Sequence, residues 1–145
     1  MKKCSEVMTG KPVSCVPDDV VARAAKLMKV GNIGSIPVVE NEKSLKLVGI
    51  VTDRDLALHI VAEGRDPKST HVAAVMTGNV VTCLPDDDLQ KALDAMAKHQ
   101  LRRIPVVDSE SRLLGIISQA DVATRVDQPE KTAQVVKEIS QANPS

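Results

Sequence analysis

The clearest pattern along the chain is an apolar stripe with helical spacing, and it occurs twice. Apolar residues at positions i, i+3, i+4 and i+7 predict one buried face of a helix. The two stripes are Val21, Ala24, Ala25 and Met28, and Leu89, Ala92, Leu93 and Met96. A Pro-Asp-Asp precedes each stripe and predicts a turn followed by a helix N-cap, at Asp18 or Asp19 in the first case. Both helices are expected to pack on a sheet.

Short β-branched runs lie on either side of the first predicted helix. Residues 13–16 predict a strand before this helix. Residues 36–39 and 47–51 predict a hairpin around the polar loop 41–44. A second helix is expected to begin at Thr52, where the apolar run ends.

The second half of the chain repeats the motifs of the first half in the same order. Val-Met-Thr-Gly at 7–10 returns at 75–78, and Ile-Pro-Val-Val at 36–39 returns at 104–107, each 68 residues later. The second hairpin loop falls at 108–111. Such a repeat determines how the whole fold is assigned, and each copy is predicted to be β-α-β-β-α.

The repeat suggests domain boundaries. We expect the first repeat at 1–68, the second at 69–128 and a C-terminal helix or tail at 129–145, with a polar linker at 64–69 and the closing helix at 130–141. Neither repeat alone buries much surface. The fold class is therefore predicted as α/β (α+β), with the two repeats packed sheet to sheet about a pseudo-two-fold axis.

Composition excludes several classes of protein. The chain has 145 residues, 43% of them hydrophobic, with 19 Lys+Arg against 19 Asp+Glu and no Phe, Tyr or Trp. Nucleic-acid binders need a basic excess or aromatic stacking surfaces, so no nucleic-acid partner is expected. No stretch approaches the roughly 18 apolar residues that span a bilayer, and the N-terminus lacks an apolar signal core. We expect a cytoplasmic protein with no membrane partner.

A hydroxyl and a carboxylate follow an apolar strand in both repeats, as Thr52 with Asp55 and Ser118 with Asp121. This Thr/Ser-x-x-Asp spacing is typical of a helix capping box without any ligand. The same groups also suit a nucleotide, because a carboxylate accepts ribose hydroxyls while the hydroxyl and helix amides hold a phosphate. Adenine would then lie between strand residues, namely Ser14, Val16 and Ile36 or Thr82, Leu84 and Ile104.

Val-Met-Thr, Ile-Pro-Val-Val and Gly-Ile-x-Thr/Ser-x-x-Asp, each repeated in order, resemble a CBS-domain pair, also called a Bateman module. The resemblance covers nearly the whole chain and is strongest to small stand-alone bacterial proteins of the hypoxic response type. It implies that Asp55 and Asp121 contact ribose and that Thr52 and Ser118 lie near phosphate. The Ile-Pro-Val strands become pocket walls.

The two expected sites are unequal. The second repeat has Arg102 and Arg103 where the first has Gly-Ser, and family members often lend such a basic residue to the phosphate across the pseudo-dyad. The first site also has Asp53 and Arg54, where the second has Gln-Ala. The first site is therefore expected to be the stronger, although exposed arginines are common and this pair also fits a solvated surface.

The resulting hypothesis is a regulatory signal-transduction module and not an enzyme. AMP is the foremost expected ligand, with ATP, NAD and S-adenosylmethionine as alternatives, and the expected site is the cleft between the two motifs. A homodimer with a separate downstream protein is expected. A ligand-free dimerising adaptor is one alternative. A metal-binding stress protein is another, suggested by Cys15 and Cys83 at equivalent positions, although Cys4, Cys15 and Cys83 have no close zinc or disulfide spacing and are expected as reduced thiols. The isolated His59, His71 and His99 assemble no catalytic set.

Overall fold

The computed structural model describes residues 2–125 and 136–139. The helices are α1 (Cys4–Val7), α2 (Val21–Gly31), α3 (Asp53–Leu56), α4 (Leu89–His99) and α5 (Gln119–Arg125). The strands are β1 (Thr9–Gly10), β2 (Ser35–Val39), β3 (Leu47–Thr52), β4 (Arg103–Val107) and β5 (Leu113–Ser118). A π-helical turn (Ala57–Val61) continues α3, and a 3-10 turn (Val72–Ala74) lies near the start of the second repeat.

The chain divides into two compact units. The central unit is Val13–Val80, and the terminal unit combines the first twelve residues with those from Val81 onward. In the central unit, β2 and β3 form the predicted antiparallel hairpin, with Ser35 opposite Thr52. The predicted stripe on α2 is buried except for Ala25, which is exposed. The central core consists of this stripe and the hairpin interior, including Val21, Ala24, Met28, Ile36, Val38 and Val51.

The terminal unit repeats this arrangement with a fuller sheet. Its strand order is β1-β5-β4, and Arg103 lies opposite Ser118. All four residues of the α4 stripe are buried, as the spacing predicted. They pack in one core with Ile104, Val106 and Ile117 of the hairpin. The prediction of an α+β fold with a helix on a hairpin in each repeat is confirmed.

The strands predicted at 13–16 and 81–84 are not regular strands. Each contributes one bridge, Cys15 with Val38 and Cys83 with Val106. The Cys15 N–H donates to the Pro37 carbonyl at 3.1 Å, and the Val39 N–H donates to the Cys15 carbonyl at 2.9 Å. Proline supplies no N–H to a ladder, so the prolines at 12, 17 and 37 limit the pairing to this short contact.

The predicted N-cap of α2 is also wrong. The cap residue is Val20, which makes no side-chain capping hydrogen bond. The Asp19 carboxylate instead accepts from the Val16 N–H at 3.0 Å and lies 3.5 Å from Arg23 Nε. Aspartate readily closes a local turn of this kind, so the carboxylate stabilises the turn before the helix and not its first amides.

The first residues of the chain complete the terminal unit. Thr9 pairs with Ile116 on β5, next to the pair Gly10–Gly115. In the central unit the equivalent contact is made by Thr77, which pairs with Ile50 on β3. Each Val-Met-Thr-Gly segment thus joins the hairpin of the other repeat. The boundaries predicted from the repeat, and the packing of the two sheets, stay predictions.

The closing helix predicted at 130–141 lies outside the described residues except for 136–139, which are helical and end at the buried Ile139. Within residues 2–125 and 136–139, no helix combines the length and the apolar character needed to cross a membrane.

Candidate functional site

At the end of β3 in the central unit, the hydroxyl of one residue and the carboxylate of another each accept a hydrogen bond from the other residue's main-chain N–H. The Asp55 N–H donates to Thr52 Oγ1 at 3.0 Å, and the Thr52 N–H donates to Asp55 Oδ2 at 2.9 Å. This is the capping box that the spacing predicted. Both side chains are half-buried. The pair fixes the two side chains at the point where the strand becomes a helix, which we call the central junction (Thr52–Asp55).

The central junction has an exposed charged edge. Asp53 and Arg54 are both exposed. The Asp53 N–H donates to the Gly34 carbonyl at 2.8 Å, which ties the start of α3 to the loop before β2. A Cβ placed on Gly34 would lie 3.0 Å from Asp53 Oδ2, so a larger side chain at 34 would displace this carboxylate.

The end of β5 in the terminal unit repeats the geometry with an extra contact. The Ser118 N–H donates to Asp121 Oδ2 at 2.9 Å, and the Asp121 N–H donates to Ser118 Oγ at 3.1 Å. The Thr9 hydroxyl donates to Asp121 Oδ1 at 3.2 Å. Asp121 is only 9% exposed. In this terminal junction (Ser118–Asp121) both carboxylate oxygens already accept a hydrogen bond.

Two arginines and a glutamine lie next to the terminal junction. Arg103 lies opposite Ser118, and the Gln119 N–H donates to the Arg102 carbonyl at 3.0 Å. Burial lowers the pKa of the Arg103 guanidinium, and the Asp121 charge opposes that shift. Arg103 is therefore half-buried beside a carboxylate, whereas Arg102 is exposed. Of the two arginines, only Arg102 fits the solvated surface that was the alternative for this pair.

Two residues at the terminal junction were missed from the sequence. Thr9 was recognised only as part of a repeated segment, and nothing in that segment indicates which hairpin it joins. Gln119 was counted as a loss of charge relative to Asp53. Its Nε2 is buried and has no hydrogen-bond partner among residues 2–125 and 136–139. Gln119 therefore places a buried amide donor two residues before Asp121 in the chain, and the sequence gives no sign of that burial.

The other residues predicted to contact the ligand differ in how far their side chains are exposed to solvent. Ser14 and Val16 are half-buried and flank Cys15, while Thr82 is exposed and Leu84 is 45% exposed. The two isoleucines of the Ile-Pro-Val strands are fully buried in the cores of their units. Their side chains can support a pocket wall from behind, and the roles of all these residues stay predictions.

The residues behind the metal alternative do not cluster. Among residues 2–125 and 136–139, no three His, Cys, Asp or Glu side chains are placed to hold a metal ion. Cys15 and Cys83 are buried, and His59, His71 and His99 are exposed. Burial raises the pKa of the Cys15 thiol to about 12, with a further contribution from Asp19. A protonated, buried thiol of this kind is a poor metal ligand.

A family model described as "CBS domain" matches residues 4–62 and 72–127. The chain belongs to the CBS domain family. Its two CBS domains account for the repeat and for the duplicated junctions, and the predicted resemblance is confirmed.

The relatives of this CBS domain pair include proteins of the same size. The CBS domain-containing protein YhcV of Bacillus subtilis is 38% identical over 143 residues, covering 99% of each chain. The crystal structure of Hypoxic Response Protein I with two coordinated zinc ions has a TM-score of 0.77 and 26% identity, covering 86% of this chain and 99% of that one. The CBS domain pair of protein MJ0100, in complex with 5'-methylthioadenosine and S-adenosyl-L-methionine, has a TM-score of 0.72 and 27% identity, covering 85% and 94%.

Proposed function

We propose that this CBS domain pair is a regulatory module that binds an adenosine-containing ligand at its strand–helix junctions. The observation that carries the proposal is the same fixed pair of hydroxyl and carboxylate in both units. The similar CBS pair of MJ0100, in complex with methylthioadenosine and S-adenosylmethionine, supports an adenosyl ligand. AMP, ATP, NAD and S-adenosylmethionine are the candidates to test.

The central junction has spare hydrogen-bonding capacity for such a ligand. Asp55 Oδ2 accepts from the Thr52 N–H, and among the described residues Oδ1 has no donor. The Thr52 oxygen accepts from the Asp55 N–H, which leaves its O–H proton free to donate. We therefore assign Asp55 Oδ1 to the ribose hydroxyls and the Thr52 hydroxyl to a phosphate or other terminal oxygen of the ligand.

The terminal junction has less capacity. Asp121 accepts from the Thr9 hydroxyl as well as from the Ser118 N–H, and the charge of Arg103 acts on it. A ribose would have to replace the Thr9 hydroxyl before it could use Oδ1. This ranks the central junction as the stronger site, which agrees with the ranking expected from the sequence but has a different physical cause.

Isothermal titration of nucleotide-stripped protein with AMP, ATP, NAD and S-adenosylmethionine tests the proposal. Asp55→Asn keeps an oxygen for the Thr52 N–H while removing the charge, so the cap is retained and ribose recognition is not. We expect Asp55→Asn to weaken binding of the tightest ligand by about tenfold or more, because hydrogen bonds to a charged group contribute about 1.5–3 kcal/mol. Asp121→Asn should weaken it less.

Asp66→Asn is the matched control, because Asp66 also accepts a main-chain hydrogen bond, from the Lys68 N–H, but lies in an exposed loop. It should bind as the unchanged protein does. Equal losses in the Asp55 and Asp121 variants would overturn the ranking of the junctions. Absence of heat with all four compounds would contradict the proposal and favour the ligand-free adaptor.

A regulatory role further requires that the ligand bind two states of the protein with different affinities. The expected homodimer supplies one such equilibrium. We propose that the adenosyl ligand shifts it, and sedimentation velocity with and without the tightest ligand measures that shift. An unchanged distribution of species would leave a binding protein with no regulated assembly.

A further inference from the structure

A side chain from the first residues of the chain occupies the carboxylate of the terminal junction. The Thr9 hydroxyl donates to Asp121 Oδ1 at 3.2 Å, while Oδ2 accepts from the Ser118 N–H at 2.9 Å. A ribose hydroxyl would use the same chemistry, an O–H donated to a charged oxygen. Thr9 therefore stands where a hydroxyl of the proposed ligand is expected.

Main-chain hydrogen bonds hold residues 2–10, which we call the N-terminal strap, on the terminal unit. Three of these bonds join the strap to residues 85–89. They run from the Leu89 N–H to the Lys2 carbonyl at 2.9 Å, from the Cys4 N–H to the Asp87 carbonyl at 2.9 Å, and from the Ser5 N–H to the Pro85 carbonyl at 3.0 Å. The strap ends in β1, where Thr9 lies opposite Ile116 of β5. Both ends of the strap are thus held, and β1 brings Thr9 to Asp121.

The central unit holds the equivalent segment in the same way but without the side-chain contact. The three equivalent main-chain bonds run from the Val21 N–H to the Thr70 carbonyl at 2.8 Å, from the Val72 N–H to the Asp19 carbonyl at 2.8 Å, and from the Ala73 N–H to the Pro17 carbonyl at 3.1 Å. Thr77 pairs with Ile50 as Thr9 pairs with Ile116. In the part of the chain that the structure describes, no hydrogen bond joins the Thr77 hydroxyl to the Asp55 carboxylate. Docking of the segment therefore does not require the side-chain contact.

The surroundings of the two carboxylates make the Thr9 contact a barrier to ribose. Asp121 is 9% exposed, whereas Asp55 is half-buried. A hydrogen bond to a charged oxygen is stronger where less water competes for it. At Asp121 a ribose would exchange the Thr9 hydrogen bond for its own, whereas at Asp55 Oδ1 it would take the place of solvent. The ribose therefore gains less free energy at the terminal junction.

We propose that Thr9 competes with the ribose of an adenosyl ligand for Asp121, so that the N-terminal strap inhibits binding at the terminal junction. This inference rests on the proposed function, because it concerns the same ribose contact. A hydrogen bond to a charged group changes a binding equilibrium by about tenfold or more. Removal of the Thr9 hydroxyl should therefore raise the affinity of the terminal junction by about that factor.

The competition also acts on the strap. A ligand that displaces the Thr9 hydroxyl removes one of the contacts that hold residues 2–10, and linkage makes the two effects equal in free energy. A ligand bound at the terminal junction should therefore favour opening of the strap by the same factor. The strap then reports whether the terminal junction is occupied.

Isothermal titration with AMP, ATP, NAD and S-adenosylmethionine tests the competition in the Asp55→Asn chain, where the central junction is weakened and the remaining heat comes from the terminal junction. Adding Thr9→Val removes the hydroxyl and keeps a β-branched side chain that suits β1. We expect it to raise the affinity for the compound that the unchanged chain binds most tightly by about tenfold. Thr9→Ser, which keeps a hydroxyl, should not raise it. Damage to the fold does not produce a gain in affinity.

Thr77→Val in the Asp121→Asn chain is the matched control, because the titration then measures the central junction. It should leave the affinity unchanged, since no hydrogen bond joins Thr77 to Asp55. Hydrogen–deuterium exchange of residues 2–10 measures the strap. In the Asp55→Asn chain, saturation with the same compound should make this exchange about tenfold faster.

The outcomes separate this inference from the proposed function. If the unchanged chain binds a compound but Thr9→Val leaves the affinity of the Asp55→Asn chain unaltered or lower, the competition is wrong and the proposed function stands. An equal gain from Thr77→Val, or strap exchange that saturation leaves unaltered, would also overturn the competition. Absence of heat with all four compounds, in the unchanged chain and in every variant, would contradict the proposed function and the competition together.

Discussion

Two glycines in the hairpins allow the main chain of another segment to approach. A Cβ on Gly115 would lie 2.8 Å from the Thr9 carbonyl oxygen and 2.6 Å from Met8 Sδ. The methionine can move, but the carbonyl belongs to β1 and is held by its pairing with β5. We therefore expect Gly115→Ala to lower the free energy of unfolding by about 2 kcal/mol, as overpacking of a filled core does. Because the chain lacks Trp, Tyr and Phe, urea unfolding followed by circular dichroism measures it.

Gly10→Ala is the control, since a Cβ on Gly10, the partner of Gly115 in the same pair, meets nothing within 4 Å. It should change stability by less than about 0.5 kcal/mol. Gly49→Ala should fall between the two, because its Cβ would lie 3.0 Å from the Thr77 carbonyl oxygen. Equal effects of Gly10→Ala and Gly115→Ala would contradict the close approach of β1 to β5.

Side-chain hydrogen bonds between residues that are near in the chain can be predicted from the sequence. The pairs Thr52–Asp55 and Ser118–Asp121 are separated by three residues, and their spacing alone predicts the reciprocal hydrogen bonds. The contacts of Thr9 with Asp121 and of the Cys4 N–H with the Asp87 carbonyl cross most of the chain. Such contacts depend on which hairpin the first segment joins, and no local pattern contains that information.

Both long helices end at a residue in the left-handed region. Asn32 closes α2 with φ 52°, and Gln100 closes α4 with φ 58°. Glycine adopts this conformation without the steric cost that a Cβ imposes, and asparagine tolerates it better than glutamine does. We expect Gln100→Gly to raise the free energy of unfolding by about 1 kcal/mol and Asn32→Gly to raise it less. Thermal unfolding followed by circular dichroism distinguishes the two variants.

The control for these two glycine variants is a position whose main chain lies outside the left-handed region. Lys98→Gly lies at an exposed position in the last turn of α4 and should be destabilising by up to about 1 kcal/mol, because glycine is a poorer helix former than lysine. If Gln100→Gly were as destabilising as Lys98→Gly, the assigned end of α4 would be incorrect.

At the scale of elements, periodic patterns were predictive and terminal details were not. The α2 and α4 stripes follow from hydrophobic spacing over eight residues, and both hairpins follow from paired apolar runs of five or six residues. The N-cap predicted at Asp18 or Asp19 was wrong because Asp19 closes the preceding turn on Val16. The strand predicted at 13–16 was wrong because flanking prolines limit it to one bridge. In the first case the carboxylate bonds a different main-chain N–H, and in the second the prolines supply no N–H for a longer ladder.

The whole molecule exchanges segments between its repeats, and the sequence could not show this. Val-Met-Thr-Gly occurs near the start of each repeat, so each hairpin has two chemically equivalent candidates for a partner. The structure pairs Thr9 with the second hairpin and Thr77 with the first. The order of the repeats along the chain and the two compact units therefore differ, and the division into residues 1–68 and 69–128 stays a prediction drawn from the duplication.

The exchange of segments between the repeats predicts which compact unit each of two equivalent core mutations destabilises. Val7 is fully buried in the terminal core, and its counterpart Val75 is 4% exposed in the central core. We expect Val7→Ala to lower the opening free energy of the terminal unit by about 2 kcal/mol, because it leaves a cavity there. Exchange of protected amides in α4, β4 and β5 should then be about 30-fold faster in hydrogen–deuterium exchange mass spectrometry, with α2 and β2 unchanged.

Val75→Ala should produce the reverse pattern, with faster amide exchange in α2, β2 and β3, although residue 75 lies in the second repeat. Each mutation thus acts on the repeat farther from it along the chain, which packing by repeat order does not predict. Faster exchange confined to α2 and the first hairpin after Val7→Ala would contradict the exchange of segments. Uniformly faster exchange after either mutation would show that the two units unfold as one, since a local cavity lowers protection only as far as cooperative unfolding extends.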